Sequence, residues 1–250
     1  MVENLEQLKA TIQYPISYIY YPYNKDALEA FQICTDLNIR FALYIPKVMK
    51  DKDILEIKKS EIYKKTETIV VNDYGSYYAF SDKNIIVGTG LNIYNSYSSH
   101  QYNDHSFILS NELSSEQMKE LNINHQNAIY QVYGKIENMI SEYCPISQYY
   151  FGKQKKHCQL CSKHQYSLLD RKNMKFDILT DQNCRIKLLN SRILLINQIE
   201  NVNSEGLLVK FTNESVKSVQ SILNQFTECY FHNKKIQISQ KNKYTYGYFK

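Results

Sequence analysis

Glycine is scarce in this chain, at 7 residues in 250, and proline scarcer still, at 4. No Pro/Gly/Ser linker, low-complexity tract or short-period repeat interrupts it, which excludes collagen-like, flexible-linker and solenoid architectures. No apolar run approaches the roughly eighteen residues of a membrane-spanning helix. The opening Met1-Val2-Glu3-Asn4-Leu5-Glu6 carries two acids and no apolar core, so it does not read as a signal or transit peptide. Three hydrolase signatures are also missing: G-x-S-x-G, H-E-x-x-H and a placed Cys-His dyad. These absences point to a cytoplasmic protein with no membrane partner.

With 43% apolar and 22% charged residues, the composition is that of an ordinary globular protein. A length of 250 suits one domain, or one α/β barrel. The 23 tyrosines are read as compositional bias that accompanies abundant Asn, Lys and Ile, rather than as a nucleobase-stacking surface. The net charge of +5 is unevenly placed. Residues 151–175 hold Lys153, Lys155, Lys156, Lys163, Arg171, Lys172 and Lys175 against Asp170, a local +6. The last eighteen residues add Lys234, Lys235, Lys241, Lys243 and Lys250 with no acid, so the remainder of the chain sums to −6.

Short, almost continuously apolar runs alternate with helix-like stretches, the pattern of βα units around a buried parallel sheet. Strands are expected at 16–21, 39–45, 68–71, 85–87, 107–109, 128–132 and 207–211. Asn4 with Gln7, and Ser114 with Gln117, fit capping boxes. Ala27, Phe31 and Cys34 form one apolar helical stripe, and Val216, Val219, Leu223 and Phe226 another, which makes Cys34 a core residue. An eight-stranded barrel wants one more strand ahead of Asn4, where only Met1 to Glu3 stand. The fold class expected is therefore α/β, a TIM-barrel-like (β/α) barrel whose first strand is largely missing, with a cysteine-rich insertion at 135–192 before the last strand. Such a chain reads as a single domain, 1–250, and as a possible fragment or split module of a two-barrel protein.

Six cysteines in a cytoplasmic chain are unlikely disulfide partners. Cys144, Cys158, Cys161 and Cys184 make C-x13-C-x2-C-x22-C, four thiolates able to complete a zinc site or ligate an iron–sulfur cluster. A single C-x2-C knuckle with two isolated partners leans toward iron–sulfur, since zinc sites usually pair two knuckles. His157 and His164 read as polar loop residues, and Cys229 with His232 as structural. The glycines of Gly88-Thr89-Gly90 lack the third member of a dinucleotide fingerprint. In a parallel barrel, working groups sit on the loops after the strands. That places Asn72, Gly88–Asn95, Ser110–Glu112 and Tyr133-Gly134 at one mouth, with the cysteine-rich segment expected to fold over it. Asn92, Glu112, Arg171 and Arg185 are the candidate catalytic residues. Asn95, Lys153, Lys155, Lys156 and Lys172 are the candidates for substrate binding. The basic cluster fits a solvated loop, compensation of cluster charge, or RNA phosphates.

The cysteine motifs in their setting are similar to those of a known family. Ser141-Glu142-Tyr143-Cys144-Pro145-Ile146, Cys158-Gln159-Leu160-Cys161, Leu169-Asp170-Arg171-Lys172, Thr180-Asp181, Cys184-Arg185 and Asn190-Ser191 resemble the collagenase-like peptidase family, peptidase family U32. Further resemblance runs through Asn4-Leu5-Glu6-Gln7-Leu8, Leu91-Asn92-Ile93-Tyr94-Asn95-Ser96, Leu109-Ser110, Tyr133-Gly134 and Thr245-Tyr246-Gly247-Tyr248, in the order of the C-terminal barrel module of the family's long members. The resemblance implies a TIM-barrel-like fold, a 4Fe-4S cluster on the four cysteines, and oxygen-independent hydroxylation of tRNA, rRNA or a quinone precursor. It also implies a second barrel, here in another chain, as partner. A collagenase-like peptidase, as the family's label has it, and a noncatalytic module binding RNA or a partner barrel are the alternatives. Three positions depart from the family's pattern. Glu137 stands where shorter relatives have a cysteine, Gly88 where an acid is expected, and Asn173 where glycine is usual, a replacement that the left-handed tolerance of Asn permits.

Overall fold

Strands that read as continuous apolar runs are strands covered on both faces, and parallel pairing with helical crossovers supplies that cover. In the computed structural model, which describes residues 1–121, 123, 125–181, 183–237 and 241–249, the order begins α1 (Leu5–Thr11), β1 (Tyr18–Pro22), α2 (Ala27–Asp36), β2 (Arg40–Tyr44), α3 (Asp51–Lys59), α4 (Glu61–Lys65), β3 (Thr68–Val71), α5 (Tyr74–Ala79) and β4 (Asn84–Val87). It continues with α6 (Ser96–His100), β5 (Ser106–Ile108), α7 (Ser115–Glu120), β6 (Ala128–Ser141), α8 (Pro145–Phe151), α9 (Leu160–Lys163), β7 (Tyr166–Leu169) and β8 (Lys175–Thr180). The last elements are β9 (Ile186–Leu195), β10 (Gly206–Val209), α10 (Val216–His232) and β11 (Tyr244–Thr245). Among the described residues no helix is long and apolar enough to cross a membrane.

The chain divides into two compact units. The first comprises Met1–Gly134 with the described residues of 195–239 and 246–250. In it the strands pair in parallel in the order β1-β2-β3-β4-β5-β6, and β10 pairs with β6. The sheet curls. Inward residues of successive strands, Tyr20, Tyr44, Val70, Ile86, Ile108 and Leu208, meet in one apolar cluster with Met1. Met1 and Val2 lie between β10 and β1. The Met1 nitrogen donates to the Val209 carbonyl (2.8 Å), the Phe211 amide to the Met1 carbonyl (3.0 Å) and the Val2 amide to the Tyr20 carbonyl (3.1 Å). The first unit is thus a mixed α/β fold around a partial barrel, in which Met1 and Val2 bond to both β10 and β1.

Local sequence accounts for the ends of several helices. Asn4 caps α1 by accepting the Gln7 amide at 2.9 Å, while the Gln7 side chain takes the Glu3 amide, one residue earlier than a strict capping box. At α7 both bonds of the box between Ser114 and Gln117 are present. Ala27 and Cys34 are fully buried on α2, and Val219, Leu223 and Phe226 are buried on α10, whereas Val216 at its first position remains exposed. Tyrosine supplies much of the interior volume in a chain without tryptophan, with Tyr21, Tyr102, Tyr130 and Tyr133 all buried.

The sixth strand does not stop at residue 132 but continues to Ser141. Gly134 makes the continuation possible. It adopts φ +124°, and a Cβ there would overlap the Lys210 carbonyl oxygen. The pairing of β10 with β6 shifts register nearby, between Leu208 and Val209.

The second unit comprises Lys135–Leu194 with the described residues of 240–245. The outer half of β6, then β9, β8 and β7, lie side by side in it; β8 is antiparallel to both neighbours, and β11 pairs with β9. The sequence pattern gives a cysteine-rich insertion here and no strands. Charged residues sit on the sheet in pairs, Lys135 with Asp177, and Lys187 with Glu137 at 3.9 Å. Glu137 therefore has a sheet-pairing role. The tight turn between β7 and β8 is built on Asn173 at φ +58°, with the Asp170 carboxylate accepting the amides of Lys172 (2.7 Å) and Met174 (2.9 Å).

Replacing Gly134 with Ala should destabilise the protein by roughly 3 kcal/mol, because the new methyl meets a backbone carbonyl and the left-handed φ adds strain. Equilibrium urea unfolding of Gly134→Ala checks this, with Gly152→Ala as a control for φ alone, since Gly152 (φ +64°) has open space around it.

Candidate metal centre

Three separate segments of the second unit deliver the four cysteines. Cys144 ends the irregular stretch after β6 and caps α8, its Sγ accepting the Ser147 amide at 3.4 Å while Pro145 occupies the first helical position. Cys158 and Cys161 come from the loop leading into α9 and from α9 itself, which Gln159 enters at φ +60°. Cys184 sits in the turn between β8 and β9 at φ +59°. A non-glycine residue held at positive φ needs its surroundings to hold it there, and three such residues, His157, Gln159 and Cys184, cluster in these two loops.

Those surroundings are visible. Gln154 brackets the Cys144 backbone, accepting its amide at 2.8 Å and donating to its carbonyl at 3.2 Å. Ser147, fully buried, accepts the Lys155 amide at 2.6 Å and donates to the Lys153 carbonyl at 3.0 Å, so it pins the 153–155 loop to α8. The Asp181 carboxylate accepts the amides of Asn183 (2.8 Å) and Arg185 (2.9 Å), which shapes the turn that carries Cys184. Arg185 then reaches from that turn to Glu142, two residues ahead of Cys144, with Nε to Oε1 at 3.3 Å. The His157 amide donates to the Cys184 sulfur at 3.1 Å, so this histidine is a partner of the site through its backbone rather than a plain loop residue.

All four cysteines line a single cavity of about 130 Å³, together with Lys155, Gln159, Ser162 and Thr180. Cys144 packs on an apolar floor of Ile146 and Ile186, against which Leu160, Cys161, Tyr166 and Ile178 also lie. Burial pushes the Cys161 thiol up, a hydrogen bond from Thr180 opposes that, and the nearness of Cys144, Cys158 and Cys184 pushes it up further. A cation placed among the sulfurs would reverse the repulsive part of this balance. Among the described residues no group of three or more His, Cys, Asp or Glu side chains is placed to hold a metal ion. Four thiols around one cavity are a donor set that either a zinc ion or an iron–sulfur cluster can use. All six cysteines are free thiols.

The other candidates are distributed differently. In the first unit Asn92 is exposed at φ +47°, Glu112 is exposed, and Asn95 caps α6, its side chain accepting the Ser98 amide at 2.9 Å. Asn95 therefore has a structural use. In the second unit Lys153, Lys156, Arg171 and Lys172 are exposed, and Lys155 lies over the Phe151 ring at 4.7 Å as well as on the cysteine cavity. Arg185, a candidate catalytic residue, is buried, 4% exposed, and engaged with Glu142 and Asp181. Gly88 and Gly90 are explained by Asn72, which is buried and donates to the Ile45 carbonyl at 2.9 Å; a side chain at either glycine would overlap it. Sequence reasoning missed Ser147 and Gln154, and named Thr180 and Asp181 only within a motif, with no role. Of the missed pair, only Ser147 had a local signal, three residues after a Cys-Pro that starts a helix.

No family model matches the chain, and no curated protein or solved structure matches it either.

Arg185→Met should lower stability by about 2 kcal/mol, less than a fully buried pair would show because Glu142 is partly exposed. Hydrogen exchange should find the loss concentrated in the turn at 181–185 and the stretch at 142–144. An effect spread evenly over the chain would show that Arg185 does not tie those two segments together.

Proposed function

We propose that this chain is an iron–sulfur protein of the kind its motifs resemble, the collagenase-like peptidase family, and that it serves an oxygen-independent RNA hydroxylase. The observation that carries the reading is the convergence of Cys144, Cys158, Cys161 and Cys184 on one cavity. In this reading those four thiolates hold a 4Fe-4S cluster, and the curled sheet with its inward cluster belongs to a TIM-barrel-like fold. The cluster would supply one-electron chemistry. The chain's own groups prepare the site for it. The amides of Ser147 and His157 donate to the Cys144 and Cys184 sulfurs, and Ile146 and Ile186 keep water from one side. Lys155 on the cavity rim adds positive charge beside the thiolates.

RNA as the substrate is supported by the exposed cations Lys153, Lys156, Arg171 and Lys172, with Tyr149 and Tyr150 exposed on the adjoining helix α8. A partner barrel in another chain belongs to the same reading. The reduced thiols fit a cytoplasmic setting. A peptidase reading has less support, since no nucleophile–base pair is recognisable in the sequence.

Deleting the gene should remove a hydroxylated nucleoside from tRNA or rRNA, read by mass spectrometry of digested RNA, and a Cys161→Ser chain should fail to restore it. An unchanged nucleoside profile, with loss of gelatin cleavage by cell extract, would contradict the hydroxylase reading and favour the peptidase.

A further inference from the structure

The four sulfurs of the candidate centre are held unequally. Cys144 is buried on the floor of Ile146 and Ile186, and its sulfur accepts the Ser147 amide at 3.4 Å. The Cys184 sulfur accepts the His157 amide at 3.1 Å. Cys161 lies against the same apolar floor and takes a hydrogen bond from the Thr180 side chain. Cys158 has neither kind of support. Among the described residues no hydrogen bond reaches its sulfur, and it stands outside the apolar cluster that holds Cys144 and Cys161. Its chain neighbours His157 and Gln159 are both exposed, at φ +54° and +60°, and its side chain lines the cavity together with Lys155.

A hydrogen bond to a negatively charged sulfur engages a lone pair that would otherwise attack an electrophile, and one such bond changes the rate of attack by about tenfold. In a centre built from thiolates, the sulfur that lacks the bond and can be reached from solvent is therefore the reactive one. Cys158 meets both conditions. The cavity also carries a cation on its exposed side, since the Lys155 backbone is pinned to Ser147 and its ammonium group lies over the Phe151 ring at 4.7 Å.

We propose that Cys158 is a modification site for α,β-unsaturated carbonyl compounds, which alkylate it while the centre is loaded. The proposal rests on the reading that the four thiolates hold a metal group. The Cys158 sulfur uses a lone pair to form a bond to the β-carbon. The carbon–carbon π pair moves toward the α-carbon and the carbonyl oxygen, and the α-carbon then takes a proton from water, so neither oxidant nor reductant is consumed. Lys155 supplies an ammonium group for the charge that the carbonyl oxygen gains, which favours unsaturated carbonyls over electrophiles without that oxygen. The thioether product is neutral. Cys158 then no longer serves as an anionic ligand, and one corner of the centre opens while Cys144, Cys161 and Cys184 keep their supports.

The test purifies the full chain anaerobically, measures its iron, sulfide and zinc, and treats it with N-ethylmaleimide under nitrogen, locating the labelled cysteines over time by mass spectrometry. In the loaded protein Cys158 should label about tenfold faster than Cys144, Cys161 or Cys184. Lys155→Ala should slow that labelling severalfold with metal content unchanged. Thr180→Val removes the bond to Cys161 and should raise Cys161 labelling about tenfold, toward the Cys158 rate. Equal rates at the four cysteines of a loaded protein, or first labelling at Cys161 or Cys184, would overturn the proposal and leave the metal reading standing. So would a Cys158 rate indifferent to Lys155→Ala or a Cys161 rate indifferent to Thr180→Val. A zinc-loaded protein labelled first at Cys158 would uphold the proposal while contradicting the iron–sulfur reading, and a protein that binds no metal would overturn both.

Discussion

Four cysteine sulfurs share one small cavity, and at Cys161 burial and the three neighbouring sulfurs together push the thiol up while a hydrogen bond from Thr180 opposes them. The second unit is organised around that cavity. The amides of Ser147 and His157 reach the Cys144 and Cys184 sulfurs. Loops with residues at positive φ are held in place by Gln154, Ser147 and Asp181 rather than by regular structure. So much local restraint in short loops is what a site needs when its ligands must be in position before the bound group arrives.

The first unit answers a different constraint, the packing of parallel strands in a curled sheet. Inward tyrosines and aliphatic residues from every strand share one cluster, and three of the glycines stand where another backbone comes unusually close. Gly88 and Gly90 make room for Asn72, and Gly134 makes room for the Lys210 carbonyl. The scarcity of glycine in the chain makes each of these placements informative.

Seven strands were legible because continuous apolar runs of that length have few alternatives beside capped helices, and the box at Ser114 and Gln117 and the left-handed turn at Asn173 were legible from residue chemistry alone. The strands at 166–195 were not. Residues of β7 and β8 are half exposed or exposed, and Asp177 and Lys187 pair with Lys135 and Glu137 of β6, so no clean alternation survives in the sequence. The cysteine spacing announced a site, but not its supports, since Gln154 and Asp181 act through contacts that only the folded chain creates. The guanidinium of Arg185 marked it as a group that seeks carboxylates, and the folded chain supplies Glu142 and Asp181 inside the unit.

The central claim is that the four cysteines hold an iron–sulfur cluster, and anaerobic purification followed by iron, sulfide and zinc analysis with absorption spectra tests it most directly. The account predicts a brown protein with about four iron and four sulfide per chain, with iron lost in Cys144→Ala, Cys158→Ala, Cys161→Ala and Cys184→Ala but retained in Cys34→Ala and Cys229→Ala. A colourless protein carrying one zinc, or iron content indifferent to Cys184→Ala, would contradict it.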